Sequence, residues 1–421
     1  MSDASGPASF EVEVGGAAAG GACVGRAPDG RVVFVRHAAP GERVRVEVTS
    51  QTTHFLRADA VEVLEASPDR VAPPCPYAGP GRCGGCDWQH VGLDRQRAMK
   101  AELVAEQLRR LAGLEVPVAV EPVPTGRDAD DGLGWRTRIT LAVAHDGRPG
   151  YRKHRSHDLQ PVDRCLIAAP GVEQVGAERA RWFAAEQVEV ATTSTGDQRV
   201  VAVQRGRKGR PRVPDVDAGA VVDGQPARVP HGLRHRVAGR SYEVAAGGFW
   251  QVHVGAAEVL GTAVLEALAP RAGERALDLY AGVGLFAALL GEAVAGDGGS
   301  VLAVESDRRA CHDAARNTAD LPHVGVRTAE VTPELVSRVG PVDLVVLDPP
   351  RAGAGLAVTA ALAALRPRLL AYVSCEPASY ARDARVLRDA GWEQRSLRAF
   401  DLYPMTEHVE LLGVWAPPAT A

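Results

Sequence analysis

Alternating apolar and polar positions mark the first part of the chain. EVEVGG, RVVFVRH, ERVRVEV and ADAVEVLEA place β-branched residues at every second position and are interrupted by Gly, Pro and Asp. A period of two puts one face of a strand inward, so these runs predict a small β-barrel within residues 1–68. PDRVAPPCPYAGPGRCGGC follows, and its Pro, Gly and Cys mark a loop and a boundary. LDRQRAMKAELVAEQLRRLAGL (93–114) has the 3.6-residue spacing of an amphipathic helix. The stretch 120–245 returns to strand-like patterning, with RITLAVAHDGRPGYRKH as a hairpin and QRGRKGRPR as a basic loop. From about 247 strands and helices alternate, the signature of a parallel α/β domain. The expected organisation is a barrel (1–68), a central β-rich domain (69–245) and an α/β domain (246–421), with helix 93–114 packing on the last.

Composition narrows the class. Hydrophobic residues make up 46% of the chain and the formal net charge is −4, which fits a soluble protein and excludes a simple polycation. No apolar run approaches membrane-spanning length. MSDASGPASF carries neither a basic nor an apolar leader segment, so a cytoplasmic location is expected, and a monomer is the default. The seven cysteines are an odd number, against a disulfide framework.

The chemistry concentrates at predicted strand ends. ERALDLYAGVGLFAALLGEAV reads as strand, glycine turn and helix, and Gly282 and Gly284 let backbone approach a ligand. Asp278, just ahead of those glycines, would repel a pyrophosphate but can help hold a cationic ligand. Glu305 ends the next strand, where it can accept from ribose hydroxyls. Together they favour S-adenosylmethionine over NAD. PVDLVVLDPPRAG ends a strand in Asp348, and LLAYVS delivers Cys375 to the same edge. A thiolate there can add to C6 of a pyrimidine and make C5 nucleophilic; a base must later remove the C5 proton. Glu407, His408 and Glu410 in DLYPMTEHVELLGVW are the candidates.

These motifs, with PGERVRVEV, CGGCDWQH, GFWQVH and YVSCEP, follow one another in an order that resembles the bacterial RNA uracil-C5 methyltransferases. The resemblance implies a TRAM (OB-like) barrel, a central β-rich domain and a C-terminal Rossmann-like methyltransferase domain. It implies Cys375 as nucleophile and Glu410 as proton acceptor. Gln251, Tyr280, Glu305 and Asp348 match cofactor-contacting positions, and Glu330 is a further candidate contact. Ala281, Leu285, His253 and Glu376 depart from the family's usual residues, and a carboxylate at Glu376 would disfavour the neighbouring thiolate. The second cysteine usual in the related cytosine enzymes is missing from DPPR, which favours uracil. The rival readings are an NAD-dependent oxidoreductase, a cytosine-C5 methyltransferase and an RNA-binding module with an inactive methyltransferase fold.

Cys75, Cys83 and Cys86 cluster, and Cys165 offers a fourth thiol. Four cysteines can hold zinc or an iron–sulfur cluster, and the resemblance implies a 4Fe-4S cluster. RNA is the implied partner, rRNA ahead of tRNA. Arg136, Arg138, Arg152, Lys153, Arg155 and the Arg205–Arg212 loop are candidate phosphate contacts. Phe34 and Phe55 are candidates for base stacking, with core packing the expected fate of each.

Overall fold

The computed structural model describes residues 8–127 and 131–418. Strands β1 (Ser9–Ala18), β2 (Ala22–Arg26), β3 (Val32–Arg36), β4 (Arg43–Gln51) and β5 (Phe55–Glu65) close a barrel in the order β1-β2-β3-β5-β4. Alternation turns Val33, Val35, Val44, Val46, Leu56 and Ala58 into its core. Phe34 and Phe55 occupy the opposite phase of β3 and β5, so they lie on the outer face and not in the core as expected.

Helix α1 (Leu93–Gln107) continues as a π-helical turn over Leu108–Ala112 and stops at Gly113, whose φ of 61° ends the helix in a left-handed cap. A short strand, β6 (Val120–Pro122), follows. The central domain is a seven-stranded sheet ordered β13-β12-β11-β10-β7-β8-β9. Its strands are β7 (Arg138–Val143), β8 (Pro149–Arg152), β9 (Leu159–Gln160), β10 (Ala185–Thr192), β11 (Arg199–Arg205), β12 (Gly219–Val222) and β13 (Gln225–Arg228). Helix α2 (Pro170–Val175) and Trp182 cover one face.

A hairpin of β14 (Gly232–Val237) and β15 (Arg240–Ala245) leads into the α/β part. There α3 (Ala256–Leu268), β16 (Arg275–Leu279), α4 (Leu285–Val294), β17 (Ser300–Glu305), α5 (Arg308–Asn317), β18 (Val324–Thr328) and α6 (Pro333–Arg338) follow in turn. Then come β19 (Leu344–Leu347), α7 (Leu356–Leu365), β20 (Leu369–Ser374), α8 (Pro377–Asp389), β21 (Glu393–Asp401) and β22 (Glu410–Ala416). The sheet order is β18-β17-β16-β19-β20-β22-β21-β6. Strands β16 to β20 are parallel, and β22 runs antiparallel between β20 and β21. Runs such as LVVL and LLAYV are apolar throughout because helices cover both faces.

This core draws on residues well ahead of 246. Val104, Leu108 and Ala112 pack with α7 and α8, while Val237, Tyr242 and Val244 of the hairpin pack with α3 and α4. Strand β6 extends the sheet beside β21. One segment, Asp401–Glu410, is tied to every part of the chain that surrounds it. Lys100 of α1, fully buried, forms a 2.5 Å ion pair with Asp401 and donates to the Tyr403 carbonyl at 3.0 Å. Gln96 accepts from the Met405 amide, and the amides of Asp87 and Trp88 donate to the Met405 carbonyl. From the barrel, the Gly20 and Gly21 amides donate to the Glu407 carboxylate.

Removing one member of a buried ion pair strands the other charge. Lys100→Ala is therefore expected to lower the unfolding free energy by about 3–5 kcal/mol. Urea denaturation checks this, and Lys100→Ala combined with Asp401→Leu is expected to regain part of the loss.

Candidate active site

Parallel pairing brings the C-terminal ends of β16, β17, β19 and β20 to one sheet edge, where open α/β sheets bind ligands. A cavity of about 1190 Å³ opens there, between the α/β part, the cysteine loop and the barrel. Gln251, Tyr280, Gly282, Glu305, Asp348, Cys375 and Glu410 all line it, as do Glu407 and His408.

Gly282 has φ +54°, and a Cβ there would meet nothing within 4 Å, so the turn leaves room for a ligand against bare backbone. Glu305 accepts from the Gly282 amide at 3.0 Å and from the Ser306 and Asp307 amides at 2.7 and 2.8 Å. The other expected cofactor residues lie elsewhere. Gly284 caps α4 against Ala314 and shapes the turn from behind. Asp278 is fully buried in β16, off the cavity wall, and neither of its carboxylate oxygens has a hydrogen-bond partner. Burial, then the charges of Asp348 and Glu305, push its carboxyl well above the usual range. Glu330 is exposed beyond β18 and does not line the cavity.

Asp348, Cys375 and Glu410 lie within reach of one another's charge. Glu410 begins β22 and is buried; the Tyr403 hydroxyl donates to it at 3.1 Å. Burial raises Asp348 to about 7, and Gln251 donates to it at 3.5 Å. Burial, then the Asp348 charge, raises Glu410 well above an ordinary glutamate, because two neighbouring carboxylates resist joint ionisation. Cys375 is pushed up to about 12 by burial, then by Glu410 and Asp348, with Arg351 acting the other way. The thiol is therefore protonated near neutrality. Glu376, expected to disfavour the thiolate, instead caps α8 by accepting from the Ala378 amide. His408 is lowered to about 4 by burial and then by Arg351, and so is neutral. His253 accepts from the Gly255 amide at 3.0 Å and stacks on Trp135, a structural use of that position.

Sequence reasoning missed several residues of this wall. Tyr403, which reaches Glu410, lies in DLYPMTEHVE itself. Phe249, 63% exposed at the cavity, was signalled by the unusual GFW run. Arg351 follows DPP directly. Of the expected basic contacts, Arg136 and Arg155 line the cavity, Arg138 pairs with Glu189, and the Arg205–Arg212 loop does not reach the cavity wall.

The Gly84-Gly85 turn of the cysteine loop lines this cavity, and Cys83 and Cys86 each have Cys75 and Cys165 as electrostatic neighbours. Burial, opposed by the Gly85 amide and reinforced by Cys165 and Cys75, pushes Cys83 up to about 11. Cys86 is also raised by burial, with Cys165, Cys83 and Cys75 as neighbours. Gln89 links Cys75 to Cys86, accepting from the Cys75 amide at 3.1 Å and donating to the Cys86 sulfur at 3.3 Å. Four thiols with backbone amides at the Gly84-Gly85 turn are a donor set suited to a cluster. Among the described residues, no set of three or more His, Cys, Asp or Glu side chains is grouped to hold a single metal ion.

A parallel sheet with a glycine turn, acidic strand ends and a thiol on one cavity defines a methyltransferase-type site. The TRAM domain family matches residues 8–61, and the family described as Conserved hypothetical protein 95 matches residues 258–385. An uncharacterized RNA methyltransferase of Streptomyces avermitilis is 47% identical, covering 97% of this chain and 98% of that protein. The 23S rRNA (uracil(1939)-C(5))-methyltransferase RlmD of Chromohalobacter salexigens is 36% identical over 92% of this chain and 85% of that one. Among solved structures, the Pyrococcus abyssi tRNA (uracil-54, C5)-methyltransferase in complex with S-adenosyl-L-homocysteine shares the fold, with a TM-score of 0.72 at 24% identity. It covers 97% of this chain and 100% of that one. The chain belongs to the RNA uracil-C5 methyltransferase family.

A half-buried, carboxylate-flanked thiol has a distinct signature. Alkylation of Cys375 by iodoacetamide, read by peptide mass spectrometry, is expected to rise about tenfold per pH unit from about pH 8 to about pH 10, with no plateau. Asp348→Asn with Glu410→Gln is expected to shift that profile to lower pH.

Proposed function

We propose that this protein methylates C5 of a uridine in ribosomal RNA. The observation that carries the reading is the presence of Cys375, Glu410 and Asp348 on the wall of one cavity beside an open glycine turn. The ribosomal assignment follows the relatives named for 23S rRNA; likeness to the tRNA enzyme speaks to fold alone.

Gln251, Tyr280, Gly282 and Glu305 fit the holding of S-adenosylmethionine, which supplies the methyl group when bound. The remaining chemistry belongs to the chain. As the Cys375 sulfur bonds to C6, Asp348 takes the thiol proton and the C5=C6 electron pair shifts toward C5 and O4. With Asp348 then neutral, Glu410 loses its proton to solvent, and once C5 carries the methyl group its carboxylate accepts the C5 proton. The C5–H electrons rebuild the double bond, and the C6–S electrons return to sulfur. Burial raises Asp348 to about 7, which suits it to proton traffic near neutrality, and raises Glu410 in the same direction. Uracil is favoured over cytosine because β19 ends in DPPR with no second thiol.

Cys75, Cys83, Cys86 and Cys165 are assigned to a 4Fe-4S cluster with a structural role, holding the cysteine loop beside the cavity. Protein purified without air is expected to contain stoichiometric iron and sulfide, and Cys83→Ser is expected to lose both. A cytoplasmic location fits a ribosomal substrate, and no helix among the described residues is long and apolar enough to cross a membrane.

The mechanism predicts opposite fates for two variants. Cys375→Ala is expected to form no 5-methyluridine and no covalent complex. Glu410→Gln completes addition and methylation but stalls at proton removal, so it accumulates an RNA–protein adduct that survives denaturing gels. Normal turnover by either variant would refute its assigned role.

A further inference from the structure

One strip of the barrel takes no part in the chemistry proposed above. Alternation within β3 and β5 turns Phe34, Phe55 and Arg57 to the outer face. The Phe34 and Phe55 rings meet edge to face with centroids 5.7 Å apart, and the Arg57 guanidinium lies 4.7 Å from the Phe55 centroid. Neither ring joins the barrel core. Parallel pairing sets Phe34 opposite Arg57 and Arg36 opposite Asp59, so the strip continues along β3 to Arg36. Arg36 reaches Asp87 at 3.4 Å, and Asp87 lines the catalytic cavity. His154 and Arg155 line the cavity too.

We propose that Phe34, Phe55 and Arg57 form a stacking platform for unpaired bases of the RNA strand adjoining the target uridine. The inference rests on the RNA reading above and adds that the substrate is single-stranded on the barrel side of the target. Every base has a π-face that an aromatic ring can take, and arginine adds attraction for base and phosphate alike. A uridine that leaves its stack to reach Cys375 requires unpaired neighbours, and a platform leading to the cavity holds them open.

The test uses the full chain and a short single-stranded RNA with one uridine, with affinity read by fluorescence anisotropy. Phe34→Leu with Phe55→Leu keeps apolar volume and removes both π-faces. It is expected to weaken binding about tenfold or more and to raise KM while kcat at saturating RNA stays unchanged. Phe55→Trp is expected to bind at least as tightly as the parent. An unchanged affinity in the leucine variant would overturn the platform. So would an equal loss against a fully paired duplex, whose bases are not free to stack on protein. Failure of the methyltransferase reading shows separately, as absence of methyl transfer by the parent chain, while weaker single-strand binding by the leucine variant still supports the platform.

Discussion

The buried pair between Lys100 and Asp401 is the constraint on which the site depends. Asp401 ends β21 and Glu410 begins β22, so the segment between them is a turn carrying Tyr403, Glu407 and His408. Such a turn has too few internal hydrogen bonds to fix its own shape. Lys100 and Gln96 hold it from α1, Asp87 and Trp88 from the cysteine loop, and Gly20 and Gly21 from the barrel. Gly21 can approach this closely because it lacks a Cβ, which would lie 2.6 Å from the Asp87 side chain. The three parts of the chain are thus joined at the loop that leads into Glu410, the proposed proton acceptor. A structural cluster in the cysteine loop would act through the same contacts, fixing Asp87 and Trp88 next to Cys86.

Burial sets the electrostatic character of the site. Cys375 and Glu410 favour their neutral forms, while Asp348, raised to about 7, is divided between its two forms near neutrality and can take a proton. Arg351 is the main opposing charge for both Cys375 and Glu410. An inert resting thiol suits the role proposed for Cys375, since it is slow to oxidise before a substrate arrives.

Much of this was legible in the sequence because each motif encodes a local physical demand. Alternation in RVVFVRH and ERVRVEV specifies the barrel, and LVVLDPP and LLAYVSC specify strands that end at one edge. Helix spacing located α1 and suggested its distant packing. Other features depend on contacts between segments far apart in the chain. Burial of Asp278 beneath the glycine turn, the exposure of Glu330 and the capping role of Glu376 follow from how helices cover the strand ends. The recruitment of β6 and of the β14–β15 hairpin into the α/β core depends on long-range packing, which periodicity does not reveal. Phe34 and Phe55 were misplaced for a different reason. In a small barrel an aromatic residue is assumed to point inward, but the strict alternation with Val33, Val35 and Leu56 assigns it outward.

Nucleoside mass spectrometry tests the central claim most directly. The anaerobically purified protein is incubated with isotopically labelled S-adenosylmethionine and with separate pools of undermethylated rRNA and tRNA. The account predicts labelled 5-methyluridine in the rRNA pool, lost with Cys375→Ala. Labelled 5-methylcytidine, or no labelled nucleoside in either pool from protein that binds the methyl donor, would contradict it.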